Sequence, residues 1–377
     1  MSDKNVTVDS TDAVYMGKAL ELARRGLFST RPNPRVGCVV VKNDKVIAEG
    51  WHQKAGDHHA EVYALMHAGA DASDATLYVT LEPCSHYGKT PPCARSVAKA
   101  GLKRVVIAMR DPNPLVAGQG IAYLQAQGIE VIVGVLEREA RELNVGYISR
   151  MERGRPWVRC KLAMSLDGRT ALSSGESKWI TGESARGDVQ RLRARSCAIV
   201  TGVGTIEHDN PSMNVRHDQM AVDFNHYAYP IPPLRVILDS RLRALPQMKL
   251  LTHPGEVLIA TTAADHSVSK WRDVPSVTVV QTRSSAAGVD PDAVIAMLSS
   301  RAINEVLIEA GACLSASFLK AGLIDELWVY VAPKLIGNSS RNLFDLAEVD
   351  SLQNAHQLAL HEVCSMGDDV RLVYKTG

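Results

Sequence analysis

A histidine and two cysteines in the first third of the sequence have the residue types and spacing of zinc ligands. They are His59 in the run HAEV, Cys84 directly after Pro83, and Cys93. One imidazole and two thiolates leave one position of a tetrahedral zinc open, which is typical of catalytic rather than structural sites. Glu61 follows His59 closely enough to lie beside the metal without binding it and to transfer protons. These residues predict a metal-assisted hydrolysis.

A disulfide and ordinary core thiols are the alternatives for Cys84 and Cys93. The chain has seven scattered cysteines, and this odd number argues against a disulfide framework. His86 is a second candidate for the third ligand, although its spacing from Cys84 is tight for shared coordination. His58 lies one position out of the ligand register and is interpreted as a wall of the site or a substrate contact.

The elements that must position these residues alternate between strand and helix. After a helix over residues 12–25 and a β-hairpin (RVGCVVV, KVIAEG), His59 begins a predicted helix. Cys84 follows the predicted strand TLYVTL and precedes another helix, and helix N-termini favour thiolates. The alternation predicts a largely parallel sheet covered by helices. A single helix, EREARELNVGYISR, is expected to close this half.

The run MERGRP at residues 151–156 is polar and broken by glycine and proline, which indicates a linker. A second alternating series begins at WVRCKLAM and shows no repeat of the first. The sequence therefore predicts two different α/β domains, residues 1–150 and 155–377, that fold separately and can be divided within the linker. Residues 216–233 are expected to form a long surface loop.

Composition and charge restrict the class of protein. Hydrophobic residues make up 46% of the 377 residues, charged residues 22%, and the net charge is +1, as expected for a globular protein with no nucleic-acid footprint. Apolar runs are far shorter than the ~20 residues that span a bilayer. The N-terminus lacks the apolar core of a signal peptide. We expect a cytoplasmic protein without a membrane or nucleic-acid partner.

The pattern His-x-Glu, Pro-Cys and a further Cys is the signature of zinc nucleoside and nucleobase deaminases, although eight residues rather than two separate the cysteines. The run LEPCSHYGKTPPC, with PNPRVGCVVV before it and DPNPLVAGQG after it, resembles the deaminase half of the bifunctional riboflavin-biosynthesis deaminase/reductase family, which has this long spacing. The resemblance implies a cytidine-deaminase-like domain with zinc on His59, Cys84 and Cys93. It makes Glu61 the proton shuttle and Asn33 a pyrimidine contact. Without it, Asn33 is equally a turn residue between two prolines.

The second half carries weaker signals of its own. GVGTIE begins like a dinucleotide fingerprint, but Glu207 stands where the third glycine belongs. In IEAGACLSASFLKAG, a strand is expected to end at Glu309 and a helix to begin near Leu314. Backbone N–H groups of that turn could receive a phosphate, or the turn is an ordinary strand–helix connection.

Several runs of this half, among them KLAMSLDGRTA, GESKWITG, HDNPSMNVR and DELWVYVAPKLIG, resemble the reductase half of the same family, which is similar in fold to dihydrofolate reductase. The resemblance implies that NADPH contacts Ala163, Trp179, Thr205, Asp209, Ser240 and the turn Gly311, Ala312, Cys313, Leu314, Ser315, Ala316 and Ser317. It implies that the substrate contacts Ser177, Arg193, Met213, Arg216 and Glu309. The guanidinium groups of Arg193 and Arg216 can pair with the phosphate of the substrate. Arginines in a run such as RLRARS, which contains Arg193, are also common on solvated surfaces.

The resemblance implies a two-step enzyme that is a homo-oligomer with a phosphorylated pyrimidine substrate. Zinc-dependent deamination of 2,5-diamino-6-ribosylamino-4(3H)-pyrimidinone 5′-phosphate is followed by NADPH-dependent reduction of its ribosyl side chain. A tRNA-editing-like deaminase is one alternative, which the near-zero charge opposes. A closed structural zinc site on a nucleotide-binding module is another, which Glu61 and the missing fourth ligand oppose. A reductase half that has lost its activity is the third.

Overall fold

The computed structural model describes residues 10–85, 92–264, 269–286 and 288–376. The chain forms two compact units. The first contains the described residues up to Gly154 together with Asp223–Pro230. The second contains Arg155–Val222 and the described residues from Ile231 onwards.

The first unit consists of a five-stranded sheet and the helices around it. In chain order its helices and strands are α1 (Ser10–Arg24), β1 (Gly37–Lys42), β2 (Lys45–Trp51), α2 (Ala60–Ala68), β3 (Thr76–Val79), α3 (Cys93–Lys99), β4 (Arg104–Ile107), α4 (Gln119–Ala126), β5 (Glu130–Val133), α5 (Glu137–Leu143) and α6 (Val145–Arg153).

The sheet of the first unit is mixed, with strand order β2-β1-β3-β4-β5. β3, β4 and β5 are parallel, whereas β1 runs antiparallel to both β2 and β3. The prediction of a largely parallel sheet is therefore only half right. The predicted hairpin is the reason: Asn43 and Asp44 connect β1 to β2 with positive φ angles of 52° and 58°, and such a tight turn imposes antiparallel pairing.

Alternate residues of β1 enter two separate cores. Val39 and Val41 pack with Met16 and Leu20 of α1 on one face of the sheet. On the other face, Cys38 and Val40 join the apolar faces of α2, α3 and α4. Helices thus cover both faces of the sheet.

The helix predicted over EREARELNVGYISR is in fact two helices, α5 and α6, which are separated at Asn144. The Asn144 side chain accepts a hydrogen bond from Arg35 N at 2.8 Å and donates one to Arg35 O at 3.0 Å. This pairing with a distant backbone segment holds Asn144 at φ −116°, outside the helical range.

The second unit contains a nine-stranded sheet with helices on its faces. In chain order its helices and strands are β6 (Trp157–Ser165), β7 (Arg169–Ala171), α7 (Glu183–Arg195), β8 (Ala198–Gly202), α8 (Val203–Asp209), β9 (Leu234–Leu238), β10 (Val257–Thr261), β11 (Val277–Gln281), β12 (Ser284–Ser285), β13 (Gly288–Val289), α9 (Pro291–Ser300), β14 (Glu305–Ile308), α10 (Ala312–Lys320), β15 (Glu326–Ala332), β16 (Arg341–Asn342), β17 (Leu358–Met366) and β18 (Asp369–Thr376).

The strand order of this sheet is β11-β10-β9-β8-β14-β6-β15-β18-β17. All pairings from β11 to β15 are parallel, and only β18 and β17 are antiparallel to their neighbours. The carboxyl ends of the central strands therefore meet along one edge of the sheet, which is where open α/β sheets bind ligands. The predicted architecture of two different α/β domains is confirmed.

Residues 216–233 form an irregular connection with one short 3-10 turn, His217–Gln219. Part of it is packed rather than solvated, because Asp223–Pro230 belongs to the first unit. There Ala228 N–H donates to Arg25 O at 3.2 Å, and the ring of Tyr227 lies 5.7 Å from that of Phe28. Among the described residues, no helix has the length and apolar composition needed to cross a bilayer.

Candidate active sites

The three predicted zinc ligands lie together in the first unit. The ligand atoms of His59, Cys84 and Cys93 are all within 4.8 Å of one another. His59 Nδ1 is 3.6 Å from Cys84 Sγ and 3.2 Å from Cys93 Sγ. His59 precedes α2, Cys84 lies in the loop after β3, and Cys93 begins α3, so three elements of the fold supply one ligand each.

Hydrogen bonds couple the protonation of the three ligand groups. Hydrogen bonds from Cys93 and His59 lower the pKa of the Cys84 thiol, despite its burial. Cys93 N–H at the start of α3 also donates to Cys84 Sγ at 3.3 Å. The hydrogen bond with Cys84 raises the pKa of His59 and, with burial, that of Cys93. One imidazole and two closely spaced sulfurs with a stabilised thiolate fit zinc.

Glu61 is buried beside the cluster, with 3% of its surface exposed. Burial raises the pKa of its carboxyl group to about 7, and the charge of His59 partly opposes this. It lies in the first turn of α2, two positions after His59. A carboxyl group with a pKa near neutrality can both accept and donate a proton, as an acid–base catalyst must.

Asn33 is held by a histidine that the sequence analysis did not select. The Asn33 amide Nδ2 lies 3.0 Å from His52 Nε2, and His52 Nδ1 lies 3.0 Å from His58 O. Because a carbonyl oxygen only accepts, the His52 proton is on Nδ1, and Nε2 accepts from Asn33. Burial lowers the pKa of His52, which favours this neutral form. The side-chain oxygen of Asn33 therefore points away from His52 and can accept from a ligand.

Glu82 is a second residue that the sequence analysis missed. Its carboxylate is 3% exposed and accepts four backbone N–H groups, two on each oxygen. The donors, at 3.0–3.2 Å, are Asp111, Gly118, Gly120 and Ile121. Glu82 thereby ties the segment from Asp111 to Ile121 to the loop that carries Cys84.

The predicted NADPH contacts of the second unit gather at the carboxyl ends of adjacent parallel strands. Ala163 lies near the end of β6, Thr205 follows β8, Ser240 follows β9, and Gly311 follows β14. A side chain on Gly202 would touch Leu314, which shows how closely the end of β8 approaches the first turn of α10.

The turn Gly311–Ser317 is mostly helix. The strand β14 ends at Ile308 rather than Glu309, and α10 begins at Ala312 rather than near Leu314. Gly311 is the N-cap, so the free N–H groups of the first turn are available to an anion. Cys313 is exposed, and its Sγ lies 3.1 Å from Asp345 Oδ2.

Trp179 and Asp209 are exposed, and Ser177 is half-buried. The guanidinium of Arg186 lies 4.8 Å from the centre of the Trp179 ring. Lys334 Nζ donates to Trp179 O at 2.7 Å. An exposed tryptophan whose backbone is held by Lys334 is suited to stacking on a ligand ring.

Arg193 and Glu309, two of the predicted substrate contacts, form a bidentate ion pair. Arg193 Nε and Nη2 donate to the two Glu309 oxygens at 2.6 and 2.7 Å, and Nη1 donates to Asn214 O at 3.0 Å. Burial alone would raise the pKa of Glu309, but Arg193 outweighs it and lowers the pKa. Arg193 is therefore not a solvated surface residue.

Arg216 is close enough to Glu309 to help lower its pKa. Its guanidinium makes a long contact of 3.4 Å with Gln219 Oε1, and its backbone N–H donates to Gln190 at 3.0 Å. Met213 is buried just before it, with a positive φ of 48°. Of the two predicted phosphate-binding arginines, Arg216 has the less engaged guanidinium.

Both halves of the chain match known families. Residues 9–109 match the cytidine and deoxycytidylate deaminase zinc-binding region, and residues 156–372 match the RibD C-terminal domain. The riboflavin biosynthesis protein RibD of Escherichia coli (strain K12) is 44% identical over 96% of this chain and 98% of its own length. The Haemophilus influenzae protein of that name is 45% identical over 97% of each.

The chain belongs to the RibD family. A solved structure of Acinetobacter baumannii RibD is 46% identical, covers 97% of this chain and 99% of its own, and superposes with a TM-score of 0.88. A Thermotoga maritima structure described as a diaminohydroxyphosphoribosylaminopyrimidine deaminase/5-amino-6-(5-phosphoribosylamino)uracil reductase is 32% identical, with a TM-score of 0.85 and coverage of 97% and 99%.

Membership of the RibD family confirms several predictions made from the sequence. The protein is a bifunctional deaminase and reductase of riboflavin biosynthesis. Zinc serves the deaminase domain and NADPH the reductase domain. The roles of individual residues stay predictions, and His86, the rival third ligand, lies outside the described residues.

We expect Glu82→Gln to weaken zinc retention in this RibD family protein about tenfold, as changes just outside a metal's ligands typically do. Glutamine keeps the shape, but its amino group would face backbone N–H groups that need an acceptor. Zinc loss to a chelator over time measures the effect. The exposed Glu21→Gln should retain zinc like the unmodified protein, and equal retention by Glu82→Gln would contradict the role of Glu82.

Proposed function

We propose that this protein converts 2,5-diamino-6-ribosylamino-4(3H)-pyrimidinone 5′-phosphate into 5-amino-6-ribitylaminouracil 5′-phosphate in two steps. The name of the Thermotoga maritima relative supports this substrate class. The observation that carries the proposal is the cluster of His59, Cys84 and Cys93 with the buried Glu61 beside it.

In the first step, the first unit replaces an amino group of the pyrimidine by oxygen. His59, Cys84 and Cys93 would hold zinc, which supplies a Lewis acid that makes water a nucleophile at neutral pH. Glu61 accepts a proton from the attacking water and delivers it to the amino group, which leaves as ammonia. Asn33, oriented by His52, accepts a hydrogen bond from the pyrimidine.

In the second step, the second unit reduces C1 of the opened ribose. NADPH would supply the hydride. Ala163, Thr205, Ser240 and the N-terminus of α10 support its placement along the carboxyl ends of the strands, with Trp179 and Asp209 as further contacts. Ser177, Met213, Arg216 and the Arg193–Glu309 pair would bind the substrate, and Arg216 is the main phosphate ligand.

We also propose that the protein works in the cytoplasm, as a homo-oligomer, without a nucleic-acid or membrane partner. All seven cysteines are free, and free thiols persist in a reducing compartment. The net charge of +1 gives no electrostatic footprint for nucleic acid.

Product analysis of the full chain tests the proposed function. With the diaminopyrimidinone alone, we expect release of ammonia and accumulation of the deaminated ribosyl compound. Adding NADPH should convert that compound to the ribityl product with stoichiometric loss of cofactor absorbance. Ammonia release without any NADPH oxidation would support the alternative of an inactive reductase half.

We expect Arg216→Ala to raise the KM of the reductase step for the phosphorylated substrate by roughly 10- to 100-fold. A charge-assisted hydrogen bond contributes about 1.5–3 kcal/mol, which corresponds to that range. Steady-state kinetics with NADPH should show an unchanged KM for the cofactor. Arg191→Ala is the matched control, because Arg191 on α7 is committed to Asp188 and Met220 O. A similar KM for Arg216→Ala and the control would refute the assignment.

A further inference from the structure

Gln190 of α7 carries a buried amide that the two proposed steps do not use. Its side chain is only 4% exposed, although it is polar and lies well inside the helix. Among the described residues its one side-chain hydrogen bond is with the segment of residues 212–220, which we call the Arg216 segment. Gln190 Oε1 accepts from the backbone N–H of Arg216 at 3.0 Å. Burying an amide is costly unless it is hydrogen-bonded, so this bond offsets the burial of Gln190.

The same face of α7 holds a second backbone group of the Arg216 segment. Arg193 lies three positions after Gln190, and side chains three apart are neighbours on a helix surface. Arg193 binds Glu309 through Nε and Nη2, and its Nη1 donates to Asn214 O at 3.0 Å. α7 therefore fixes the backbone of the segment at two nearby points, the C=O of Asn214 and the N–H of Arg216.

The backbone of Arg216 is held on both sides, whereas its guanidinium is almost free. The C=O of Arg216 accepts from Gln219 N–H at 3.1 Å at the start of the 3-10 turn His217–Gln219. Its N–H is held by Gln190. Among the described residues the guanidinium makes one hydrogen bond, a long one of 3.4 Å to Gln219 Oε1. The direction of this side chain therefore depends mainly on the backbone that carries it.

We propose that Gln190 is a positioning residue for the reductase step, because its bond to the N–H of Arg216 orients that guanidinium toward the phosphate of the substrate. The inference rests on the proposed function, which assigns the phosphate to Arg216. A guanidinium pairs with a phosphate through two parallel hydrogen bonds, so a small displacement of the arginine weakens binding. Gln190 thus favours the phosphorylated substrate over an unphosphorylated one without contacting either.

Steady-state kinetics of the full chain test the proposal, with the deaminated ribosyl compound supplied with and without its 5′-phosphate. Gln190→Met keeps the length of the side chain and removes the acceptor. We expect it to raise the KM for the phosphorylated compound about three- to tenfold, which is the effect of one lost hydrogen bond. The kcat, the KM for NADPH and the kinetics of the unphosphorylated compound should not change. Gln190→Glu keeps an acceptor oxygen and should have nearly the KM of the unmodified protein.

A double variant separates positioning from general support of the fold. If Gln190 acts through Arg216, Gln190→Met should add nothing to the KM that Arg216→Ala has already raised. If it acts independently, the two effects should multiply. Arg191→Ala is the matched control, because it removes a contact of the same helix with Met220 O, four positions beyond Arg216, and should leave the KM unchanged.

Circular dichroism and the KM for NADPH establish that the second unit of each variant is folded. If Gln190→Met does not fold, Gln190→Asn withdraws the amide oxygen by one methylene group and should have the same effect. An unchanged KM, equal losses with and without the phosphate, or effects that multiply in the double variant would overturn the inference and leave Arg216 as the phosphate ligand. A normal KM for Arg216→Ala would instead remove the proposed phosphate site, and the inference with it.

Discussion

Replacing Glu61 by glutamine is expected to abolish ammonia release while the protein stays folded, keeps zinc and retains its reductase activity. The amide has the shape of the carboxyl group but cannot accept a proton from water or pass one to the leaving amino group. Loss of a general acid–base costs about 10²–10⁴-fold in rate. Because Glu61 serves both proton transfers of the deamination, we expect the upper end of that range.

Ammonia release by the full chain measures this effect, and zinc content measured on the same sample excludes loss of the metal. Glu49→Gln is the matched control, since Glu49 is an exposed carboxylate on β2 of the same unit. It should deaminate at the normal rate. Near-normal ammonia release by Glu61→Gln would mean that another group transfers the protons, and the mechanism proposed for the first unit would be wrong.

The cluster in the first unit could be predicted from the sequence because its signals are local. His59 and Glu61 are two positions apart at the start of a helix. Cys84 lies in the loop after β3, and Cys93 begins the next helix, α3. Each position follows from a short pattern of apolar periodicity and helix-start residues. Only the fold shows that the three segments bring the ligand atoms of His59, Cys84 and Cys93 within 4.8 Å of one another.

The contacts that the sequence did not reveal join residues far apart in the chain. Glu82 binds N–H groups of a segment that begins at Asp111, and Arg193 pairs with Glu309 across 116 positions. Asn144 breaks a helix through its bonds to Arg35, 109 positions away. The secondary-structure propensity of a short segment cannot predict such pairs. Tertiary packing decides which polar groups are left without a local partner and must pair with a distant residue. Glu82 left one signal, a charged residue directly after the run TLYVTL that the sequence predicts as a strand.

The separability of the two halves stays a prediction, and the structure changes how the fragments should be designed. A first fragment that ends at Gly154 would lack Asp223–Pro230, which belongs to the same compact unit. It would lose the contact of Tyr227 with the buried ring of Phe28. The assignments tested with variants are therefore better measured in the full chain.

Replacing Cys84 by serine is expected to remove zinc and all measurable deamination from the full chain. Cys84 is the cysteine whose thiolate its neighbours stabilise, through hydrogen bonds from Cys93 and His59. A serine hydroxyl is not ionised at neutral pH, and one imidazole with one thiolate is too small a ligand set for a stable zinc site. Metal analysis of the purified variant should show far less than one zinc per chain, against about one in the unmodified protein.

The reductase step separates loss of the metal from loss of the fold. Given the deaminated ribosyl compound, the Cys84→Ser chain should still oxidise NADPH, because the predicted cofactor contacts all lie in the second unit. Cys364→Ser is the control for a cysteine change as such: Cys364 is a half-buried residue of β17, and its replacement should preserve both zinc and deamination. A Cys84→Ser protein that retains a full complement of zinc would show that the metal, if bound in this unit, is held by other residues.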